Sequence, residues 1–245
     1  MGKRGVGMNE DLKKDYDRSV EFWDKNFELS KEQIQDVISQ VPEEDDWKQL
    51  ATSPKLFEAL KEFKDCDRLL DYGCGYGWAS IIAAKHGCKS VVAVDVVESS
   101  KTATDVEAKV FGVSDKIDCR FVSTDWLSKE PEESYDGLFI SNVIDVIPME
   151  ITRDILANAK RVLKKGAKIV IGMNNYLSPE IAKSKDYTVK EDRYLFVDGI
   201  LRLVLMSDEE WTSLLSEYFT VTKLDHFSWP GEETETRRLF FLQNE

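Results

Sequence analysis

The chain has 245 residues, of which 42% are hydrophobic and 32% charged, and its formal net charge is −13. One domain of this length can bury a full core. The negative charge disfavours binding to nucleic-acid phosphates and to anionic membrane surfaces. No apolar run approaches the roughly 18 residues needed to span a bilayer. We therefore expect neither nucleic acid nor a membrane as a partner.

The N-terminus and the thiols give no targeting or metal-binding signal. Residues 1–6 contain no apolar segment of the signal-peptide type, and Val6 stands where a myristoylation motif requires Ser or Thr. The four cysteines include no C-x-x-C pair and the chain has only two histidines, so no metal ion is expected. These features predict a cytoplasmic protein with reduced thiols.

Residues 1–60 are predicted to be helical and rather polar, with several aromatic side chains. Tyr16, Phe22 and Trp23 are spaced as on one face of an amphipathic helix. Such a helix could pack on the core, or it could fold over a bound ligand as a lid. The sequence leaves both interpretations open.

A glycine-rich loop follows the first short apolar run of the chain. Its order is Asp71-x-Gly73-x-Gly75-x-Gly77, and a helix is predicted directly after it, over residues 78–86. Glycine permits positive φ and close approach of a ligand, and a helix start offers free N–H groups. The spacing does not fit the dinucleotide fingerprint, and no lysine follows as in a phosphate-binding P-loop. An acid before the glycines instead suits a ligand that carries an ammonium group.

Strands and helices then alternate, which favours a doubly wound α/β sheet. Buried strands are predicted at 91–95, 118–122, 137–140 and 168–172, and helices at 101–111 and from Pro148 to about Leu163, where Lys164, Lys165 and Gly166 give a basic last turn and a stop. Ligands of such sheets bind outside the carboxyl ends of the strands, at the switch point. The residues that directly follow each strand are therefore the candidate site residues.

The C-terminal part begins with a polar stretch, residues 178–192. Asp198-Gly199 between apolar β-formers then predicts a hairpin, and Ser207 caps a predicted helix. Two last strands are expected at 221–227 and 237–242. The organisation we expect is a single domain in four parts: an N-terminal helical lid (1–60), a core (61–175), an inserted hairpin (176–205), and a C-terminal helix with edge strands (206–245).

The glycine loop closely resembles motif I of the class I S-adenosylmethionine (SAM)-dependent methyltransferases, whose loop holds the methionine part of the cofactor. The likeness by motif covers roughly residues 65–175. The final helix and strands also resemble the antiparallel hairpin with which that family's sheet usually ends. The resemblance implies a Rossmann-like sheet, SAM as the cofactor and S-adenosylhomocysteine (SAH) as its product.

The resemblance also implies roles for residues at successive strand ends. The Asp71 carboxylate would face the ammonium group of the cofactor, and Asp95 would accept hydrogen bonds from both ribose hydroxyls. Asp125 would meet the adenine amino group, with Trp126 or Leu127 against the ring, although an acid in a turn is also common for structural reasons. The full candidate set for the cofactor is Asp71, Gly73, Cys74, Gly75, Gly77, Asp95, Val96, Asp125, Trp126, Ser141 and Asn142.

The expected acceptor is a small molecule methylated on O, N or S. Asp145-Val146 stands where small-molecule enzymes of the family often have Glu-His. The Asn/Asp-Pro-Pro-aromatic motif of enzymes that methylate exocyclic amines is missing after the fourth strand. A protein methyltransferase, an aminopropyltransferase and a non-catalytic SAM-binding sensor or activator subunit are the alternatives.

Candidate catalytic residues are His226, Asp145 and Tyr16. His226 lies in a predicted edge strand, where a structural role is the more natural one. The Asp198-Gly199 hairpin occupies a place where family members often carry inserts that cover the substrate. It could equally pair with a second subunit, so either a monomer or a homodimer is expected.

Overall fold

The structure is a computed structural model that describes residues 10–245. Residues 1–9, on which the expectations about a signal peptide and myristoylation depend, lie outside the described residues. The helices are α1 Glu10–Phe27, α2 Lys31–Ser39, α3 Pro54–Ala59, α4 Trp78–His86, α5 Glu98–Val110, α6 Trp126–Lys129, α7 Met149–Val162, α8 Pro179–Ser184 and α9 Asp208–Ser216. Short 3-10 turns span Asp46–Gln49 and Leu60–Phe63.

The strands form two sheets. They are β1 Leu69–Tyr72, β2 Val91–Asp95, β3 Ile117–Phe121, β4 Tyr135–Ser141, β5 Leu163–Met173, β6 Thr188–Lys190, β7 Tyr194–Val197, β8 Ile200–Val204, β9 Thr220–Phe227 and β10 Arg237–Gln243. The larger sheet has the order β3-β2-β1-β4-β5-β10-β9, and the smaller has the order β6-β7-β8. None of the helices within residues 10–245 is both long enough and apolar enough to cross a bilayer.

The larger sheet confirms the predicted doubly wound fold. Strands β1 to β5 run parallel, β10 is antiparallel to β5, and β9 is antiparallel to β10. All four residues of β1 are buried, because helices cover both faces of the sheet. The chain leaves β1 toward β3 on one side and returns to β4 on the other. The switch point of this topology therefore lies at the carboxyl ends of β1 and β4.

The glycine-loop helix is where the sequence predicted it. Helix α4 spans Trp78–His86 and ends at Gly87, whose φ is +118°. Residues 79–84 are all buried in it, between the sheet and the segments before β1. This burial on all sides explains why the helix is apolar around its whole circumference.

The predicted hairpin around Asp198-Gly199 is present in the smaller sheet. Asp198 and Gly199 have φ of +51° and +75°, and Val197 pairs with Ile200 across the two-residue turn. The sheet is joined to α1 by an ion pair between Lys190 Nζ and Asp15 Oδ2, 2.6 Å apart. The hairpin thus lies beside the N-terminal helix rather than in the main sheet.

One predicted boundary is wrong at the end of α7. The helix stops at Val162 and β5 starts at Leu163, so Lys164, Lys165 and Gly166 belong to a strand and not to a basic last turn. Asn244 explains the difference, because it supplies partners from the far end of the chain. Its carbonyl accepts the Gly166 N–H at 2.6 Å, and its side-chain amide donates to the Leu163 carbonyl at 2.9 Å.

Candidate active site

A cavity of about 530 Å³ lies at the carboxyl edge of the larger sheet. Its volume falls in the range of small-molecule and cofactor sites. The walls come from the glycine loop, from the residues after β2 and β4, and from α1, which covers it. The sequence-predicted residues on the wall are Tyr16, Gly73, Cys74, Gly75, Asp95, Val96, Ser141 and Asn142.

The glycine loop is packed so closely that two of its positions admit no side chain. Gly73, Gly75 and Gly77 have φ of +78°, +53° and +76°. A Cβ on Gly73 would collide with Val143 Cγ2, and one on Gly77 would lie 2.5 Å from Thr104 Cγ2. The loop therefore presents bare backbone, and Gly77 serves as the N-terminal boundary of α4 rather than as part of the cavity wall.

The Asp95 carboxylate is fixed at the end of β2 by two backbone bonds. Its Oδ2 accepts the Gly75 N–H and its Oδ1 accepts the Val97 N–H, both at 3.0 Å. Burial raises the pKa of Asp95, while these N–H groups act to lower it. Each carboxylate oxygen has a second lone pair, so the group can still accept two hydrogen bonds from a vicinal diol.

Asp71 lies behind the loop and not on the cavity wall. Its side chain is buried, and Oδ2 accepts a hydrogen bond from Ser80 Oγ at 2.6 Å. Burial, opposed by the Ser80 hydrogen bond and aided by the nearby charge of Asp95, raises the pKa of Asp71 to about 7. Asp71 ties β1 to α4 beneath the loop, and its expected place facing the ammonium group of the cofactor, directly or through water, stays a prediction.

Asp125 and Trp126 are also outside the cavity wall. The Asp125 carboxylate accepts from Ser123 Oγ at 2.6 Å and pairs with Lys129 Nζ at 2.6 Å, in a side chain that is 59% exposed. This pairing makes Asp125 a solvated turn residue at the start of α6. In place of the two predicted residues, Val122 at the end of β3 lines the cavity.

The end of β4 contributes an unsatisfied polar group. Asn142 has a φ of +54°, and its N–H donates to the Gly172 carbonyl at 2.9 Å. Its side-chain oxygen is buried and has no hydrogen-bond partner among residues 10–245. Buried polar atoms are normally paired, so a cavity-lining atom of this kind fits a site that a polar ligand completes.

The three candidate catalytic residues are not brought together. Tyr16 lines the cavity, and burial, with the charges of Asp95 and Asp17, raises its pKa to about 12. His226 lies on β9 outside the cavity, where Nε2 is 2.8 Å from Asp208 Oδ2. Tyr16 therefore keeps its hydroxyl proton at neutral pH. His226 contacts Asp208 at the edge of the sheet, away from the cavity.

Asp145, the third candidate, is fully buried and does not line the cavity. Its Oδ2 accepts the backbone N–H of Asn174 at 2.8 Å and the side-chain amide of Asn174 at 2.9 Å. Burial raises the pKa of Asp145, and the charge of Arg238 opposes this shift. Asn174 itself lines the cavity, so Asp145 acts on the site by holding a neighbour.

The sequence analysis missed a wall formed by Trp229, Arg237 and Arg202. The Arg237 guanidinium carbon lies 3.4 Å from the centre of the Trp229 ring, and Nη1 donates to Asn174 Oδ1 at 2.8 Å. The sequence contained a signal that could have located Arg237. Because β10 is antiparallel to β5, its first residues and the turn before it must lie at the carboxyl edge, beside the site.

Among residues 10–245, no group of three or more His, Cys, Asp or Glu side chains could hold a metal ion.

A glycine loop after β1, an acid at the end of β2 and a cavity at the β1/β4 switch point occur together in this Rossmann-like methyltransferase fold. Residues 69–166 match the family described as a methyltransferase domain. This match to a methyltransferase domain agrees with the resemblance to class I SAM-dependent methyltransferases that the loop predicts. SAM is the cofactor of this enzyme family.

Curated relatives share only part of their length with the chain. A ribosomal protein L11 methyltransferase of Thermotoga neapolitana is 34% identical over 107 residues, which are 42% of this chain and 37% of that protein. One from Photobacterium profundum is 26% identical over 140 residues, 54% of this chain and 44% of that protein. The chain thus spans less than half the length of these relatives.

Solved structures share the fold. The 1,6-didemethyltoxoflavin-N1-methyltransferase of Burkholderia thailandensis has a TM-score of 0.61 at 15% identity, covering 82% of this chain and 81% of that one. The N-methyltransferase NodS of Bradyrhizobium japonicum, in complex with SAH, has a TM-score of 0.55 at 16% identity, covering 86% and 97%. At these identities the likeness establishes architecture alone.

Proposed function

We propose that this methyltransferase transfers the methyl group of SAM to a small-molecule acceptor. The observation that carries the proposal is the size and cover of the cavity, about 530 Å³ beneath α1. Phe27 of α1 lies directly over the glycine loop, since a Cβ on Gly75 would be 3.3 Å from its ring. A cavity that holds the cofactor under such a cover leaves room for a small acceptor.

The residues present fit the cofactor. Asp95 would hold the ribose hydroxyls, the backbone of Gly73 and Gly75 would lie against the methionine part, and the unpaired Asn142 oxygen would accept a ligand N–H. When bound, SAM supplies an electrophilic methyl group on a sulfonium. The protein's contribution is alignment of the acceptor and exclusion of water by the aromatic side chains of α1.

The cavity wall favours an acceptor that needs no protein base. Asp95 is the one carboxylate among its described residues, and no histidine lines it there. Tyr16 keeps its proton, because its pKa is raised to about 12. An amine or a thiol can lose its proton to water more readily than a hydroxyl can. We therefore favour methylation on N or S.

A protein acceptor is the second candidate, and the relatives named as ribosomal protein L11 methyltransferases favour it. A protein acceptor would have to bring one side chain under α1. A non-catalytic SAM-binding subunit is the third candidate. It would bind the cofactor without turning it over.

Calorimetric titration with SAH, together with incubation with SAM and a metabolite extract, tests the proposal. We expect SAH to bind and SAH to form from the extract. Asp95→Asn should weaken SAH binding by about 10–100-fold, since hydrogen bonds to a charged group contribute about 1.5–3 kcal/mol. Asp125→Asn, the matched control outside the cavity, should leave the affinity unchanged.

Three results would contradict this assignment. Equal SAH affinity in the wild type and the Asp95→Asn variant would remove the ribose role. SAH binding without SAH formation would favour the non-catalytic subunit. SAH formation from a protein fraction alone, with none from the extract, would favour a protein acceptor.

A further inference from the structure

Arg202 differs from the other charged groups on the cavity wall because no charged partner within residues 10–245 pairs with it. Asp95 is fixed by two backbone N–H groups, and Arg237 forms a two-pronged ion pair with Glu232, with N–O distances of 2.7 to 3.0 Å. Among the described residues the Arg202 side chain makes no hydrogen bond or ion pair, and its contacts are with two aromatic rings. It is the single unpaired cation of the described wall.

The Arg202 guanidinium is nevertheless held in position. It lies 5.0 Å from the ring centre of Phe22 and 5.2 Å from that of Trp23, both on α1. Cation–π contacts of this kind fix the group without satisfying its N–H donors. Arg202 lies on β8 at the bulge between the pairs Phe196–Leu201 and Leu195–Leu203, and bulges of this kind re-aim a side chain. A half-buried guanidinium that is oriented but unpaired suits a bidentate anion.

We infer that Arg202 binds an anionic group, a carboxylate or phosphate, inside the cavity, and that the acceptor is the ligand that carries it. This inference rests on the proposed function. The surface of the protein is strongly acidic, with a net charge of −13, so an unpaired cation facing the cavity selects locally for negative charge. The cofactor carries a sulfonium, which adds to the preference for an anionic neighbour.

Two carboxylates could meet Arg202, that of the acceptor and that of the amino-acid end of the cofactor. SAH and 5′-methylthioadenosine distinguish them, because the second lacks the amino-acid part. Their dissociation constants are compared in the wild type, Arg202→Gln, Arg202→Lys and Arg193→Gln. Arg193 is the matched control, a half-buried arginine of the same sheet region that does not line the cavity.

The acceptor is tested with a metabolite extract separated by charge into anionic, neutral and cationic fractions. We expect SAH to form from the anionic fraction. At limiting extract, Arg202→Gln should lower the rate by about tenfold or more, the loss of one charge-assisted contact. Arg202→Lys should retain part of the rate and Arg193→Gln all of it. Unchanged SAH affinity in Arg202→Gln would assign the anion to the acceptor.

Other outcomes are equally decisive. Weaker SAH binding with unchanged 5′-methylthioadenosine binding in Arg202→Gln assigns the anion to the amino-acid end of the cofactor and overturns the inference that the acceptor carries it. SAH formation from the neutral or cationic fraction alone, at the same rate in Arg202→Gln, overturns the inference and leaves the proposed function intact. Absence of both SAH binding and SAH formation in the wild type overturns the proposed function itself. Thermal unfolding of each variant confirms that it is folded.

Discussion

Gly73 shows at the scale of one residue why the loop after β1 is built from glycine. Its left-handed φ of +78° costs any other residue about 1–2 kcal/mol. A Cβ there would also collide with Val143 Cγ2, and overlap in a packed region adds about 1–3 kcal/mol. We therefore expect Gly73→Ala to lower the free energy of unfolding in urea by about 2–5 kcal/mol.

Gly112 is the matched control for this substitution. Its φ is +65°, but a Cβ there meets no described atom within 4 Å. Gly112→Ala should therefore lower the free energy of unfolding only by the cost of its left-handed backbone, about 1–2 kcal/mol. The double variant Gly73→Ala/Val143→Ala should recover stability relative to Gly73→Ala. Equal losses in the two single variants would refute the close packing of the loop against Val143.

The raised pKa of Asp71 makes the stability of the fold depend on pH. Its pKa is raised from 3.8 to about 7, mainly by burial, so the folded state holds this proton more tightly than the unfolded chain. The stability contributed by the protonated group is complete below about pH 4 and is lost as pH rises through about 7, with a slope of up to about 1.4 kcal/mol per pH unit. Asp71→Asn should abolish this component.

Urea unfolding at pH 5 and pH 7.5 measures the effect. Between pH 5 and pH 7.5, the free energy of unfolding of the wild type should fall by about 2 kcal/mol more than that of Asp71→Asn. Parallel losses in both proteins would show that Asp71 is not the group that titrates. The Ser80 hydroxyl can donate to the Asn side chain as it does to Asp71, so the substitution preserves the contact at 2.6 Å.

The predictable site residues are those whose chemistry the local sequence determines. Gly73 follows β1 and Asp95 ends β2, and both line the cavity as the strand-end rule predicts. Asp125 also follows a strand, yet it pairs with Lys129 four residues on. A carboxylate after a strand can face the cavity or pair with a neighbouring side chain. Only the packed structure decides between the two. Arg202 and Arg237 are distant from the loop in sequence. The antiparallel pairing of β10 with β5 could have located Arg237, and no local pattern locates Arg202.

At the scale of elements, helix α1 covers the cavity, and Asp24 is one of the residues that attach α1 to the core. The Asp24 carboxylate accepts the Ser99 N–H at 2.9 Å, and the Asp24 carbonyl accepts from Ser99 Oγ at 2.7 Å. Helix α5 has no side-chain cap of its own at Val97. Asp24 therefore caps α5 from another helix, and this contact joins the cover to the core.

Asp24→Ala should loosen α1 without disturbing the sheet. We expect the free energy of unfolding to fall by about 1 kcal/mol, as is typical when a helix cap is removed. Amide hydrogen exchange in residues 10–27 should become faster. Exchange in β1 and β4 should stay unchanged, and SAH binding should weaken because the cover opens more often. Asp17→Ala, on the exposed side of the same helix, is the control. Unchanged exchange in α1 of Asp24→Ala would count against this attachment.

The elements that sequence predicted well have a local cause, and those it missed do not. The Asp198-Gly199 turn formed where expected, since few residue pairs allow two positive φ values in succession. The polar stretch 178–192 instead contains α8 and β6. Strand β6 is exposed and short, so it has no apolar pattern. Its pairing with β7 supplies the order that its composition does not predict.

At the scale of the whole molecule, a buried charge network connects the site to the edge of the sheet. Arg238 on β10 is fully buried, and it donates to the carbonyls of Asn174 at 2.8 Å and Met206 at 2.7 Å. The charge of Asp145 favours its protonated form, while burial lowers the pKa of Arg238. This side chain therefore couples the end of β4, the end of β5 and the start of α9 in one unit.

The ion pair of Arg238 is with Asp208 Oδ1, at 3.8 Å, and the charge of Asp145 acts on Arg238 without forming an ion pair with it. Removing one of these opposite charges leaves the other uncompensated. We expect Arg238→Met to lower the free energy of unfolding by about 3–5 kcal/mol. Arg153→Met, which breaks an ion pair to Glu217 with the Arg153 side chain 49% exposed, should cost at most about 1 kcal/mol. Adding Asp145→Asn to Arg238→Met should recover part of the loss, because the unpaired carboxylate is removed. If Arg238→Met costs as much in the Asp145→Asn background as in the wild type, the two charges are not coupled, and the hydrogen bonds to Asn174 and Met206 alone hold this edge of the site.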